Sequence, residues 1–212
     1  MKKPFTAFRG IAAPLPLANV NTDAIIPSVY LRSVSTDLAR GLFGRWRFDE
    51  QDNERPDFVL NRVPFRRAEI LFAGENFGCG SSREAAAWAL QRFGIRCVAA
   101  PSFADIFYEN AFRNGLLAAV IAPEDLATMV AALEANPLDA QVDVDLVNQT
   151  LVRGNAARIG FQVPGFRRDA LLRGDDDIAG TLRHADAIAR HVATDRASRG
   201  WAHRAIATQE KR

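Results

Sequence analysis

The apolar positions fall into three stretches of different rhythm. Residues 5–30 read as short extended pieces with polar breaks, ending in Asn21-Thr22-Asp23-Ala24-Ile25-Ile26-Pro27. Asn and Asp on either side of Thr22 favour a side-chain-stabilised turn. Ile25 and Ile26 then enter apolar surroundings, and Pro27 stops a helix from running back through it. From Asp49 to Pro64 the chain is polar and punctuated by proline, which predicts a surface loop. A loop of that length in a compact domain is functional or faces a partner.

The central third alternates strand and helix. Glu69–Ala73, bounded by Gly74, is a short apolar run that predicts a buried strand. Ser81 to Phe93 is rich in Ala, Leu and Glu and stops at Gly94, which predicts a helix. Cys97–Ala100 predicts the next strand. Ser102 is placed to cap a helix running through Phe103, Ile106, Phe107 and Ala111 to Asn114-Gly115. Leu116 to Ala122 predicts another strand, and Pro123-Glu124-Asp125 opens a helix with Leu126, Met129, Val130 and Leu133 on one face. Such alternation implies a largely parallel sheet with covering helices. After Pro137, Val142, Val144 and Leu146 alternate with Asp143 and Asp145, Asn148-Gln149 turns the chain, and Thr150-Leu151-Val152 returns, so a hairpin is expected. Arg158 to Val163 adds a strand. Ile178, Leu182, Ala185, Ala189 and Val192 recur at the spacing of one amphipathic helix. The whole predicts a single α/β domain over residues 1–195 with a β-rich layer added, and a loose tail over residues 196–212.

Composition narrows the chemistry. With 212 residues, 48% apolar and 25% charged, the chain can bury a core without a disulfide or metal staple. A net charge of +2, with Arg spread along the chain, marks neither nucleic acid nor an anionic membrane as partner. No stretch approaches the ~20 apolar residues of a membrane span, and Met1-Lys2-Lys3-Pro4-Phe5 is not followed by the apolar run of a signal peptide. Cys79 and Cys97 sit in different contexts, as free thiols of a reducing cytoplasm do. Two cysteines cannot hold an iron–sulfur cluster, which takes three or four thiolates. His184, His191 and His203 all lie in the C-terminal helix or tail, which gives a Ser–His hydrolase little support.

One turn stands out. Residues 74–84 read Gly-Glu-Asn-Phe-Gly-Cys-Gly-Ser-Ser-Arg-Glu, after a predicted strand and before a predicted helix. Three glycines permit positive φ and close backbone approach. The serine pair falls at the expected helix start, where free N–H groups and the dipole hold an anion. Arg83 adds a planar fork for a carboxylate, and Glu84 either orients that Arg or belongs to a cap. On pattern alone the segment is equally a tight turn with serine caps. It is neither a Walker loop nor a dinucleotide fingerprint, because the spacing differs and no Lys follows the last Gly.

The eleven-residue string closely resembles the signature of the small subunits of 3-isopropylmalate dehydratase, which match the swivelling C-terminal domain of aconitases. Asn21–Pro27, Pro56–Asn61, Pro101–Tyr108, Asn114–Leu117, Phe166–Arg168 and Asp177-Ile178 with Leu182–Ile188 resemble family segments in family order, across residues 5–192. The resemblance implies a three-layer β/β/α swivelling domain. It implies a cytoplasmic hydro-lyase of leucine biosynthesis, active only with a large subunit, in a heterodimer or heterotetramer. The cofactor would be a [4Fe–4S] cluster on that partner and none on this chain; the substrate would be a small hydroxy diacid. Carried over, Ser81 is the catalytic base, and Ser82, Arg83, Asn21, Thr22, Asp23 and Arg32 bind substrate.

This chain also departs from the family pattern. Ala85 and Asp169 stand where His is usual, Asn21 where Asp is usual, and Ser28 near a usual basic residue. Tyr30-Leu31-Arg32 lies where family members tune specificity, and Arg32 is either a contact for a more polar substrate or a solvated surface residue. These departures keep two alternatives in view. One is the small subunit of a sister hydro-lyase acting on homoaconitate, citramalate or an alkyl-malate; the other is a non-catalytic paralogue.

Overall fold

A computed structural model describes residues 3–32 and 37–203. In chain order its strands and helices are β1 (Ala7–Leu15), α1 (Thr22–Ile25), α2 (Leu38–Gly41), α3 (Gly44–Arg47), β2 (Ala68–Ala73), α4 (Glu84–Phe93), β3 (Cys97–Ala100), α5 (Asp105–Asn114), β4 (Leu117–Val120), α6 (Pro123–Ala135), β5 (Gln141–Asp145), β6 (Thr150–Val152), β7 (Ile159–Gly160), α7 (Gly165–Arg173), α8 (Asp177–Leu182) and α9 (Ala185–Ser198).

One seven-stranded sheet, ordered β4-β3-β2-β1-β5-β6-β7, carries the fold. Strands β1 to β4 pair in parallel, and β5, β6 and β7 continue antiparallel beyond β1. The expected short pieces over residues 5–30 are instead one nine-residue strand serving both halves. Ala7–Ile11 pair with β5 and Ile11–Leu15 pair with β2, with an irregularity between Ile11 and Ala12 where the partner changes. At the far edges, Val120 and Gln162 exchange backbone hydrogen bonds, so the end of β4 meets the chain leaving β7. The sheet therefore curls back on itself. Its two halves are the two β layers of the expected β/β/α arrangement, and the helices supply the third.

Burial follows the pairing. Every residue of β3 is buried, as are all but Glu69 in β2, the continuous apolar pattern of parallel strands covered on both faces. Helix α6 packs on β1, β2 and β3, burying Leu126, Met129, Val130 and Leu133, the face read from their spacing. The hairpin of β5 and β6 also forms as expected, and Asp143 on its exposed face forms a bidentate pair with Arg9, directly opposite on β1.

Three further expectations are corrected. Ser102 does not cap α5, which starts at Asp105 with no side-chain cap; its hydroxyl instead accepts from the Asn76 N–H at 2.8 Å. The single C-terminal helix is two, α8 and α9, broken at Arg183-His184, and neither buries a residue. They follow α7, which the pattern did not reveal: it is flanked by Pro164 and Gly174 and buries only Leu171. Helix α9 runs to Ser198 and a 3-10 turn follows at Gly200–His203, with the His203 ring on Asp195. Residues 204–212 of the expected tail lie outside the described residues.

The third correction concerns residues 49–64. The first part is a polar turn organised by the Asp49 carboxylate, which accepts from the Gln51 and Asn53 N–H groups and the Asn53 amide. The second part is anchored in the interior through Val59, Leu60 and Asn61. Asn61 Nδ2 donates to the carbonyls of Arg47 and Arg55, and its Oδ1 accepts from Arg47 Nε at 3.2 Å. Arg47 is buried, with its guanidinium over the Phe48 and Phe93 rings and donating to the Ala39 and Leu42 carbonyls. Burial lowers its pKa below the ordinary guanidinium value. A buried cation held by neutral acceptors depends on all of them. Asn61→Ala is therefore expected to cost about 2–3 kcal/mol, measured as the loss of unfolding free energy in urea.

Candidate active site

The turn after β2 lies at the C-terminal ends of the parallel strands, where α/β sheets place their ligand sites. Two segments flank it and extend the order of β1, β2 and β3. On one side Gly78 N–H donates to the Val20 carbonyl at 2.7 Å and Thr22 N–H donates to the Cys79 carbonyl at 2.9 Å. On the other, Phe77 N–H donates to the Ser102 carbonyl and Ala104 N–H to the Phe77 carbonyl. Phe77 and Cys79 thus form isolated parallel bridges, to Phe103 on one side and to Asn21 on the other, with Gly78 turning between them. Gly78 makes this possible: its φ is +79°, and a Cβ there would lie 2.2 Å from Cγ of Phe107, which is buried beneath it. Gly80, at φ +86°, turns the chain outward toward the exposed serine pair.

The helix start differs from the expectation. Helix α4 begins at Glu84, with Arg83 as its N-cap residue and no side-chain cap. Ser81 and Ser82 therefore stand just before the helix rather than inside its first turn, and both are exposed. The free first-turn N–H groups that suit an anion belong to the residues after them.

The structure brings the N-terminal motif to this turn. Asn21 caps α1, its Oδ1 accepting from Ala24 N–H at 2.8 Å, a role Asn and Asp fill equally. Thr22 is buried, and its hydroxyl donates to the Ser81 carbonyl at 2.9 Å. Asp23 bridges the two chemical groups. Its Oδ1 lies 2.5 Å from an Arg83 terminal nitrogen, and its Oδ2 is 3.4 Å from the Ser81 hydroxyl. The same Arg83 nitrogen reaches the Ile26 carbonyl at 3.4 Å. With Arg83 one-quarter and Asp23 about half exposed, the pair lies at the rim of a surface open to solvent. Six of the seven residues named from the sequence thus share one locality: Asn21, Thr22, Asp23, Ser81, Ser82 and Arg83. Arg32 is exposed at the end of a 3-10 turn (Ser28–Leu31), with no hydrogen bond to the turn among the described residues.

Glu84 does not orient Arg83; it accepts from Asn114 Nδ2 at 2.8 Å, and Asp23 takes the role considered for it. No local signal could reveal this, because Asp23 and Arg83 are sixty positions apart. The positions that depart from the family pattern also separate. Ala85 is buried in the first turn of α4, whereas Asp169 lies on α7 beside Arg168 and Arg173. The two thiols differ as well. Cys79 is partly exposed on the turn, while Cys97 is enclosed in β3, where burial pushes its thiol far above the ordinary range.

Comparison with known proteins shows the family. A family model described as the aconitase C-terminal domain matches residues 2–124, which include β1 to β4 and every residue of the site. The 3-isopropylmalate dehydratase small subunit of Rhodospirillum centenum is 49% identical over 199 residues, covering 93% of this chain and 98% of that one. The protein of the same name from Brucella abortus is 47% identical over 201 residues, with the same coverage. Among solved structures, 3-isopropylmalate dehydratase from Methanocaldococcus jannaschii matches with a TM-score of 0.61 at 28% identity, over 87% of this chain and 99% of that one.

The seat of Gly78 on Phe107 gives a direct test of the turn. Gly78→Ala combines a positive φ with a steric overlap, so it is expected to lower stability by about 2–3 kcal/mol, seen as a reduced midpoint in thermal or urea unfolding.

Proposed function

This chain belongs to the aconitase C-terminal domain family, among the small subunits of 3-isopropylmalate dehydratase, and from that footing we propose that its 77–84 turn is the proton-handling half of an active site shared with a large subunit. The reaction is the interconversion of 2-isopropylmalate and 3-isopropylmalate in leucine biosynthesis, by loss and readdition of water. The partner is read as carrying a [4Fe–4S] cluster, which supplies Lewis acidity toward the leaving hydroxyl. The cytoplasm is the compartment proposed for the complex.

This chain's own contribution begins with a proton on carbon next to a carboxylate, which is weakly acidic. Ser81 is proposed to remove that proton. A serine hydroxyl ordinarily ionises far too weakly for this, so the alkoxide needs a positive environment. Arg83 provides it; Asp23 holds Arg83 through one carboxylate oxygen, and its other oxygen, 3.4 Å from the Ser81 hydroxyl, is the acceptor for the proton that leaves Ser81 as the alkoxide forms. Among the described residues, one terminal nitrogen of the Arg83 fork is engaged, by Asp23 and Ile26. The other nitrogens are left to grip a substrate carboxylate side by side, with Ser82 and the open start of α4 beside it. Asn21 and Thr22 set the backbone on which Asp23 stands, and Arg32 is assigned to the substrate end away from the reacting carbons. Openness to solvent fits this role: until the partner closes over the turn, water screens the charges that the reaction needs.

The observation that carries the reading is the placement of one carboxylate, Asp23, on both Ser81 and Arg83. In a complex with a cluster-loaded large subunit, Ser81→Ala is expected to lower kcat by about 10²–10⁴-fold. Arg83→Lys, which keeps the charge and loses the fork, is expected to raise KM for 3-isopropylmalate more than it lowers kcat. Full activity of Ser81→Ala would remove Ser81 from its role.

A further inference from the structure

The turn is gripped at both ends by one helix, and the second grip has no part in the chemistry above. At its beginning, α5 follows the 102–104 segment that pairs with Phe77, and its Phe107 fills the space under Gly78. At its end, Asn114 meets α4. Glu84, Trp88 and Gln91 are spaced by four and three, so they share one face of α4, and all three engage Asn114. Glu84 Oε1 accepts from Asn114 Nδ2 at 2.8 Å, Trp88 Nε1–H donates to Asn114 Oδ1 at 3.1 Å, and Gln91 Nε2 donates to the Asn114 carbonyl. Asn114 Nδ2 donates also to the Asn110 carbonyl at 2.9 Å.

The orientation of this amide is fixed by chemistry. An indole is a donor only, so the amide oxygen must face Trp88 and the NH₂ must face the Glu84 carboxylate, which only accepts. Both donors of the amide are used. Arg83 immediately precedes Glu84 and starts α4 without a side-chain cap of its own. The Arg83 carbonyl accepts from the Ala86 N–H at 3.1 Å, which joins Arg83 to the first turn of α4, and the Glu84–Asn114 hydrogen bond joins that turn to the end of α5.

We propose that Glu84 and Asn114 are positioning residues for the reaction, their hydrogen bond tying the first residue of α4 to the last of α5 and so holding Arg83 against Asp23 and Ser81. The proposal rests on the role given to Ser81 and Arg83, and deepens it. Neither residue touches substrate; each acts through the placement of Arg83. Geometry lost at such a support is felt at the chemistry, because displacement by a fraction of an ångström already reduces the rate.

The test exchanges the donor and acceptor of the pair in the complex with its cluster-loaded large subunit, using 3-isopropylmalate as substrate. Asn114→Asp keeps the acceptor for Trp88 but sets a carboxylate against Glu84, and is expected to lower kcat/KM about tenfold or more. Adding Glu84→Gln restores a donor–acceptor pair with the roles reversed, and the double variant is expected to recover most of that loss. Glu84→Ala, which removes the acceptor, is expected to lose about as much as Asn114→Asp and to show no further loss when combined with Asn114→Ala. The proposal is overturned if Asn114→Asp and Glu84→Ala each stay within twofold of the parent, or if Glu84→Gln fails to rescue Asn114→Asp. It is also overturned if the losses of Glu84→Ala and Asn114→Ala multiply. Should Asn114→Asp not fold, the Glu84→Ala and Asn114→Ala cycle decides alone. Ser81→Ala, assayed alongside, reports separately on the underlying reading: an active Ser81→Ala with an intact Glu84–Asn114 coupling would contradict the base assignment and not the tie.

Discussion

The site depends on a backbone contact between two pieces of chain that are far apart in sequence. Hydrogen bonds from Gly78 to Val20 and from Thr22 to Cys79 lay residues 20–22 beside residues 77–79. Without them Asp23 would have no reason to face Arg83, and the Ser81 hydroxyl would have no carboxylate acceptor. A surface ion pair contributes little on its own. Here the partners are delivered by main chain bridged on both sides of residues 77–79, so the entropy of bringing the carboxylate and guanidinium together is met by those backbone hydrogen bonds rather than by the ion pair. The buried Thr22 hydroxyl, bonded to the Ser81 carbonyl, carries the same contact one residue further toward the serine pair.

The rest of the fold serves that contact. Strands β1, β2 and β3 end at one level, and the segments leaving them are the three that pair at residues 20–22, 77–79 and 102–104. Helix α6 covers the same three strands, and helix α5 underpins the turn through Phe107. The curl of the sheet, closed where Val120 meets Gln162, lets β5, β6 and β7 cover the parallel strands, leaving the strand ends as the open edge. A rigid frame with exposed polar groups at an uncovered rim is the combination that the proposed sharing of the site with a large subunit asks for.

Much of this was legible in the sequence. The strand runs at Glu69–Ala73 and Cys97–Ala100, the apolar face of α6 and the hairpin around Asn148-Gln149 were set by local periodicity and turn chemistry, and they form as read. The 74–84 string announced a Gly-rich turn between strand and helix. Its glycines could be read because positive φ and close approach leave few other choices. What periodicity could not supply were relations across the chain: Asp23 as the partner of Arg83, Asn114 as the partner of Glu84, and the buried Arg47–Asn61 pair. Each joins residues whose local context is unremarkable, so only tertiary structure reveals them. The break at Arg183-His184 was missed for a different reason. Helices α8 and α9 both continue an apolar period of 3.6, and that period alone does not show where one helix stops and another begins.

Amide hydrogen exchange tests the central contact most directly. If residues 20–22 and 77–79 are bridged by backbone hydrogen bonds, the Gly78 and Thr22 amides exchange about as slowly as the β2 amide of Leu71, through global unfolding. Exchange of Gly78 and Thr22 at the rate of exposed loop amides, with Leu71 still protected, would show that the two segments are not held together and that Asp23 is not fixed against Ser81 and Arg83.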